Sequence, residues 1–188
     1  MTTAGYVPEE GSDIIDESCE MVGQTVYAKT KIEAEKVLLE KCNAVSLRLA
    51  SVYGASSSGI FRQDTFVNHF IMLAIEKRTI EVFQANQRRD IVHVADVGRA
   101  FLHALEHYPW LCGRAFNVGE ANITKGQVAQ RIKSLDAAVR IEEVAGEDPD
   151  HRDFWVDHKT WINAGFEYHY DFRMNIRQEY TKQFLGAR

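Results

Sequence analysis

The stretch Tyr27-Ala28-Lys29-Thr30-Lys31 opens a run rich in lysine and glutamate, and the apolar stretch Ala44-Val45-Ser46-Leu47-Arg48-Leu49-Ala50-Ser51-Val52-Tyr53-Gly54 follows it. The first run predicts a helix over 22–41: Tyr27, Lys31, Ala34 and Leu38 recur on one stripe, and the glutamates and other lysines fill the rest. The second predicts a buried strand over 45–53, rich in apolar and β-branched residues and closed by Gly54. A helix feeding a buried strand points to an α/β fold. Tyr27 and Lys31, four residues apart, share one helix face, so a phenol and an ammonium can meet in one site. A neighbouring cation favours the phenolate, which in water forms only near pH of about 10. The same spacing also suits a half-buried tyrosine beside a surface lysine, so the decision rests on the rest of the chain.

Working outward, the pattern keeps alternating. A Ser/Gly loop, Ala55-Ser56-Ser57-Ser58-Gly59, leads to a predicted helix over 65–76, then short strands over 80–83 and 90–93. Asp96 is placed to cap a helix ending near His107, Arg114–Val118 reads as a strand closed by Gly119, and Thr124 is placed to cap another helix. Past Asp136 the pattern weakens. Glu147-Asp148-Pro149-Asp150 reads as a loop before a last helix over 172–184, and no internal repeat is present.

Composition excludes several classes. With 188 residues, 45% hydrophobic and 26% charged, the chain can bury a real core. No run is apolar enough for a membrane span, and Met1-Thr2-Thr3-Ala4-Gly5 lacks the basic and apolar regions of a secretion signal, so a soluble cytoplasmic protein is expected. Cys19, Cys42 and Cys112 are far apart and form no CxxC pair, which predicts packing thiols and no metal site. A net charge of −5 argues against a nucleic-acid partner, because phosphate contacts need a basic surface.

Five blocks, in order, resemble one family. They are Tyr27-x-x-x-Lys31, Leu47-Arg48-Leu49-Ala50-Ser51-Val52-Tyr53-Gly54, Arg62-Gln63-Asp64-Thr65-Phe66-Val67-Asn68, Arg88-Arg89-Asp90-Ile91-Val92-His93-Val94-Ala95-Asp96-Val97 and Phe116-Asn117-Val118-Gly119. Together they resemble the extended short-chain dehydrogenase/reductases, the NAD-dependent epimerases and dehydratases that act on nucleotide sugars. The resemblance implies the C-terminal portion of a Rossmann-like parallel sheet with a smaller α+β substrate-binding region. Residues 1–54 would be the remnant of the Rossmann sheet with its YxxxK helix. Residues 55–188 would be mainly the substrate region, with the strand over 114–118 returning to the sheet. None of the twelve glycines forms GxGxxG or GxxGxxG, the turn through which that family brings its backbone to the cofactor pyrophosphate. By resemblance, the chain begins near the end of the fifth strand and lacks that Gly-rich half.

The roles implied by the family fall on named positions. Tyr27 would be the general base for a sugar hydroxyl, Lys31 would assist it, and both would touch the ribose of NAD or NADP. Thr2, or next to it Thr3, would hydrogen-bond the reacting oxygen. In the 4,6-dehydratase branch an acidic pair follows that threonine; here Thr3 and Ala4 follow Thr2, which favours an epimerase or reductase. Asn68 and Arg89 match positions that contact the diphosphate of a UDP- or dTDP-hexose, Arg89 through its planar fork, and Arg152 matches a late residue of the nucleotide pocket. Asp96 and His93 read as structural, a helix cap and a strand residue.

Two other readings stay open beside the enzyme: a nucleotide-sugar-binding module with no redox step, and an assembly protein that uses an exposed sheet edge. Activity would need a complementing N-terminal half, and the family's dimerisation through the Tyr27 helix implies a homo-oligomer.

Overall fold

The computed structural model describes residues 3–6, 14–23, 25–41, 43–146 and 153–186. After a 3-10 turn at Thr3–Gly5 and a two-residue strand β1 (Ile14–Ile15) comes helix α1 (Val26–Lys41). It starts later than the predicted 22 because Thr25 Oγ1 accepts from Ala28 N at 3.1 Å and ends the non-helical approach. The stripe that α1 buries is Ala28, Ile32 and Glu35, one residue away from the predicted one. Tyr27 and Leu38 face outward, 58% and 45% exposed. Pattern alone misplaced the stripe because a glutamate lies in it, held by Arg48.

The apolar stretch predicted as one strand is two, β2 (Ser46–Leu49) and β3 (Ser51–Tyr53). Helix α2 (Phe66–Glu76), strands β4 (Thr79–Phe83) and β5 (Arg88–His93), helix α3 (Val94–Glu106), the short α4 (Tyr108–Leu111) and strand β6 (Ala115–Val118) follow. β2 pairs in parallel with β6, from Ser46 opposite Ala115 to Leu49 opposite Val118, whereas β3 pairs in parallel with β5. Ala50, at the break, still donates its N–H to Val118 O at 3.0 Å. One run of chain therefore serves two sheets. Leu47, Ala50 and Tyr53 are all buried along it, which is why the run is apolar throughout rather than alternating.

Strand β7 (Ala121–Thr124) runs antiparallel to β5, and helix α5 (Lys125–Lys133) starts on the predicted cap, a capping box of Thr124 and Gln127. Strand β8 (Arg140–Val144), parallel to β4, lies where the sequence pattern gave out. Its charged Arg140, Glu142 and Glu143 belong to an edge strand, where charge discourages further pairing. Strand β9 (Trp155–Val156), parallel to β1, and helices α6 (Lys159–Asn163) and α7 (Phe172–Gly186) complete the chain.

Three apolar clusters result among the described residues, the smallest formed by Tyr6, Ile15, Phe154 and Val156. Phe70, Ile71, Ile80, Val82, Val128, Ile132 and Ile176 join α2, α5 and α7 to β4. Leu47, Ala100, Ala104, Phe116, Val118 and Trp161 join α3 and α6 to β2 and β6.

The predicted cap of α3 moves. His93 is the N-cap, its Nδ1 accepting from Ala95 N at 3.2 Å, and Asp96 sits one turn inside. The buried Asp96 carboxylate accepts from Arg99 at 2.8 Å and from the backbone N–H groups of His169 and Tyr170, so it fastens the segment leading into α7. Two glycines are required by close approach: a side chain at Gly119 would collide with the His158 ring, and one at Gly54, where φ is 94°, would lie 2.6 Å from His93 Nε2. Among the described residues no helix is long and apolar enough to cross a membrane.

Candidate active site

Tyr27 occupies the first turn of α1 with its ring open to solvent, and Lys31 Nζ stands 5.5 Å from the ring centroid. Helical spacing alone creates this pair. The tertiary structure adds Arg62, within electrostatic reach of the Tyr27 side chain and held in a fork by Asp64 at 2.5 and 2.7 Å. The sequence reading passed over Arg62 as a site residue; its signal is the Arg62-x-Asp64 spacing, which pre-forms the fork.

The segment behind Arg62 is pinned by Asn68. This buried side chain donates from Nδ2 to Arg62 O at 2.8 Å and accepts at Oδ1 from Gly54 N at 2.9 Å. It stands in the first turn of α2, whose N-cap is Thr65, so Asn68 is not a cap. The structure thus sets Asn68 and the Arg62 segment at the C-terminal end of β3, where ligands of open α/β sheets bind, with Tyr27 within electrostatic reach of Arg62.

The second group lies at the far end of β4 and β5. Arg88 is held by Asp153 through Nε and backbone N, at 2.9 and 2.8 Å, and it stacks over Trp155 with 5.6 Å to the centroid. Arg89 is buried, and its Nη1 donates to Arg88 O at 2.8 Å. Burial works to raise the Asp153 carboxyl, but hydrogen bonds and charge from Arg88, with Arg89 behind it, hold it below the ordinary carboxylate range. Beside this pair opens a cavity of about 430 Å³, lined among others by Gln84, Asn86, Gln87, Glu143 and Asp153. Sequence reasoning reached Arg89 but not the cavity, because β8, which supplies one wall, was not predicted.

Of the remaining candidates, Thr2 and Arg152 lie outside the described residues. Thr3 is buried, and its hydroxyl donates to Asp90 Oδ1 at 3.4 Å.

At the C-terminal ends of β3 and β5 lies a largely buried set of ionisable side chains. Glu120 accepts from Tyr53 Oη at 3.1 Å and from Phe172 N, and burial pushes its carboxyl up to about 7. Burial raises the Tyr53 phenol as well. Glu179, on α7, accepts from Ala55 N and Lys182 Nζ, both at 2.9 Å, and stands 3.6 Å from His93 Nε2. Burial opposes its ionisation, yet these donors bring it down to about 2. The His93 ring stacks on Tyr170, centroids 4.1 Å apart, and acts as a wedge.

Toward a dinucleotide, the described residues offer the open face of Tyr27 with Lys31 over it, which fits a ribose. No glycine-rich turn of the pyrophosphate-binding kind is present in the sequence.

Solved structures share this architecture. A UDP-glucuronic acid 4-epimerase from Bacillus cereus, in complex with UDP-glucuronic acid and NAD, superposes with a TM-score of 0.82 at 18% identity, over 99% of this chain and 60% of its own. A dTDP-glucose 4,6-dehydratase from Bacillus anthracis, in complex with NAD, gives 0.76 at 18% identity over 95% and 58%. A UDP-glucose 4-epimerase from Thermotoga maritima, with UDP-glucose, gives 0.78 at 20% over 100% and 63%. The chain thus spans between 58% and 63% of the length of these three structures. At such identities the likeness concerns the fold. A family model described as the NAD dependent epimerase/dehydratase family matches residues 1–119, more than half of the chain. With that match and the Tyr27–Lys31 geometry in place, the chain belongs to the NAD-dependent epimerase/dehydratase family.

Proposed function

We propose that the chain is the substrate-binding and proton-transfer part of an enzyme acting on a nucleotide sugar, an epimerase or reductase rather than a 4,6-dehydratase. The observation that carries the reading is the Tyr27–Lys31 pair, open to solvent and within electrostatic reach of Arg62. Tyr27 takes the proton of a sugar hydroxyl, and Lys31 supplies positive charge beside the ring and holds the nicotinamide ribose. NAD or NADP, when bound, supplies hydride acceptance. Arg89, beside the Arg88–Asp153 pair, and Arg152 serve the nucleotide end, and Asn68 shapes the approach to the diphosphate. Thr2 is the proposed partner of the reacting oxygen; the engagement of Thr3 with Asp90 supports Thr2 as the first choice. The preference against dehydration rests on Thr3 and Ala4 standing where that branch carries an acidic pair.

A second reading has its own support. The cavity at Asp153 opens beside Arg88 and Arg89, whereas the cofactor side has no glycine-rich cradle, which suits a nucleotide-sugar-binding module without a redox step. For partners, we propose a complementing N-terminal half that pairs with β2, whose described pairing is on one side only, with β6. We also propose a homo-oligomer formed through the exposed Val26, Val37 and Leu38 of α1.

Calorimetric titration with UDP- and dTDP-hexoses, and separately with NAD, tests these readings. Hexose binding that weakens about tenfold or more in Arg89→Ala, the range for a hydrogen bond to a charged group, supports the substrate half. Binding of neither ligand defeats both readings. Hexose binding without oxidation after the N-terminal half is supplied leaves the binding module.

A further inference from the structure

A buried polar node joins the segments around Tyr27. Arg48 of β2 donates from Nε to both oxygens of Glu35 at 3.1 Å and from Nη2 to Oε1 at 2.6 Å. Its Nη1 donates to the phenol oxygen of Tyr6 and, at 3.1 Å, to Glu17 O. Ser46 Oγ donates to Glu35 Oε2 at 2.5 Å, and Tyr6 Oη donates to Asn117 Oδ1 at 2.8 Å. The Glu17 carboxylate accepts from Asn117 N at 2.8 Å and from Thr160 Oγ1 at 2.9 Å. Tyr6, Glu35, Ser46, Arg48 and Asn117 are each at most 7% exposed.

Such a node is a poor way to stabilise a fold. Desolvating the charges cancels much of their attraction, and apolar residues of similar volume commonly do as well. What a planar guanidinium fork provides is direction: it fixes the distance and angle between its partners. Here the partners are Glu35, two turns along α1 from Tyr27, and Tyr6, which directly follows the Thr3–Gly5 turn. The same two segments also meet where Gly5 lies against the Ile32 side chain, and Gly23 N donates to Gly5 O at 3.2 Å. Burial pushes the Tyr6 phenol up to about 12, so it stays a neutral hydroxyl that accepts from Arg48 while donating to Asn117.

We propose that Arg48, with Glu35 and Tyr6, is a positioning set that locks the Thr3–Gly5 turn to α1, and so holds that turn and the Tyr27–Lys31 pair at one fixed spacing. It deepens the reading of Tyr27 and Lys31 as the reacting pair, and its test reads position in the absence of any ligand. The variants are Tyr6→Phe, the apolar double exchange E35L/R48M, and Arg48→Lys, which keeps the charge without the fork. The spectroscopic signature is the nuclear Overhauser contact between the Ile32 δ1 methyl and the Gly5 α protons, read with amide exchange and urea unfolding.

The double variant is expected to unfold near the wild-type midpoint while losing the contact. Its amides over 26–32 should exchange at least tenfold faster, with those of α5 unchanged. Arg48→Lys should fail to keep the contact, and Tyr6→Phe should weaken it. An intact contact with unchanged exchange in both Tyr6→Phe and the double variant overturns the proposal. So does a loss of protection spread evenly into α5, which marks general destabilisation. If the double variant does not fold, Tyr6→Phe decides by the same criterion. Failure of wild-type protein to bind UDP- or dTDP-hexose would remove the functional reading and leave the positional result standing.

Discussion

The region built on β4, β5, α2, α5 and α7 and the region built on α1, β2 and β6 are held together by different means. In the first, Ile71, Ile80, Val82, Val128, Ile132 and Ile176 are fully buried against one another, and position follows from filling space. In the second, β2 and β6 pack through Leu47, Phe116 and Val118, but α1 contributes only Ala28 and Ile32 as buried apolar side chains, and its remaining buried residue, Glu35, is held in an ion pair. Apolar packing tolerates exchange of side chains at constant volume, whereas a charged fork accepts one geometry or fails. The region read as binding a sugar nucleotide therefore rests on a tolerant frame, and the region read as moving a proton rests on a directional one.

The largest effects should come from breaking each frame in its own way. Arg48→Met leaves Glu35 buried without its cation and should cost about 3–5 kcal/mol in urea unfolding, while the E35L/R48M pair recovers most of that. Ile71→Ala, in the other region, should cost about 2–5 kcal/mol, and no second exchange at a distance should rescue it. A single Arg48→Met loss below about 1 kcal/mol would erase the contrast.

Proton linkage sharpens the comparison where α7 meets the sheet. Glu120 is raised from 4.5 to about 7, so the fold favours its neutral form. Its contribution to stability is fully present below pH 4.5 and is lost as the pH rises through about 7. Glu179 is lowered from 4.5 to about 2, and its contribution runs the other way, present above pH 4.5 and lost as the pH falls through about 2. Denaturant titrations of wild type and Glu120→Gln between pH 4.5 and 8 should differ in slope, with the variant flatter. Parallel curves would mean that Glu120 is ionised throughout.

Smaller effects separate structure from chemistry. Thr124→Ala removes the side-chain acceptor of the capping box and should cost about 1 kcal/mol. Tyr27→Phe should change stability by less than about 0.5 kcal/mol, because the ring is 58% exposed, while abolishing turnover in the reconstituted enzyme. A large stability loss in Tyr27→Phe would assign this tyrosine to packing instead of catalysis.

How far the sequence went can be followed through particular residues. Helix α5 was legible because Thr124 and Gln127 cap locally, within three residues. Strand β8 was not, because an edge strand with Glu142 and Glu143 pointing outward carries no apolar alternation. The outward face of Tyr27 and Leu38 was mistaken for part of a buried stripe, since nothing local reveals that Glu35 will meet Arg48 thirteen residues on. His93, rather than Asp96, caps α3 because Asp96 is drawn to the backbone of His169 and Tyr170, more than seventy residues away.

The sequence by itself determined the α/β character and the Tyr27–Lys31 pair, because periodicity, capping and helical spacing act over a few residues, and the resemblance of five ordered blocks pointed to the family. The tertiary structure decided that one apolar run splits at Ala50 between two sheets, that a cavity opens beside Asp153, and that Arg48 gathers Glu35 and Tyr6. These depend on contacts between segments far apart in the chain, where burial and the need to satisfy every buried charge select the partner and local pattern carries no information.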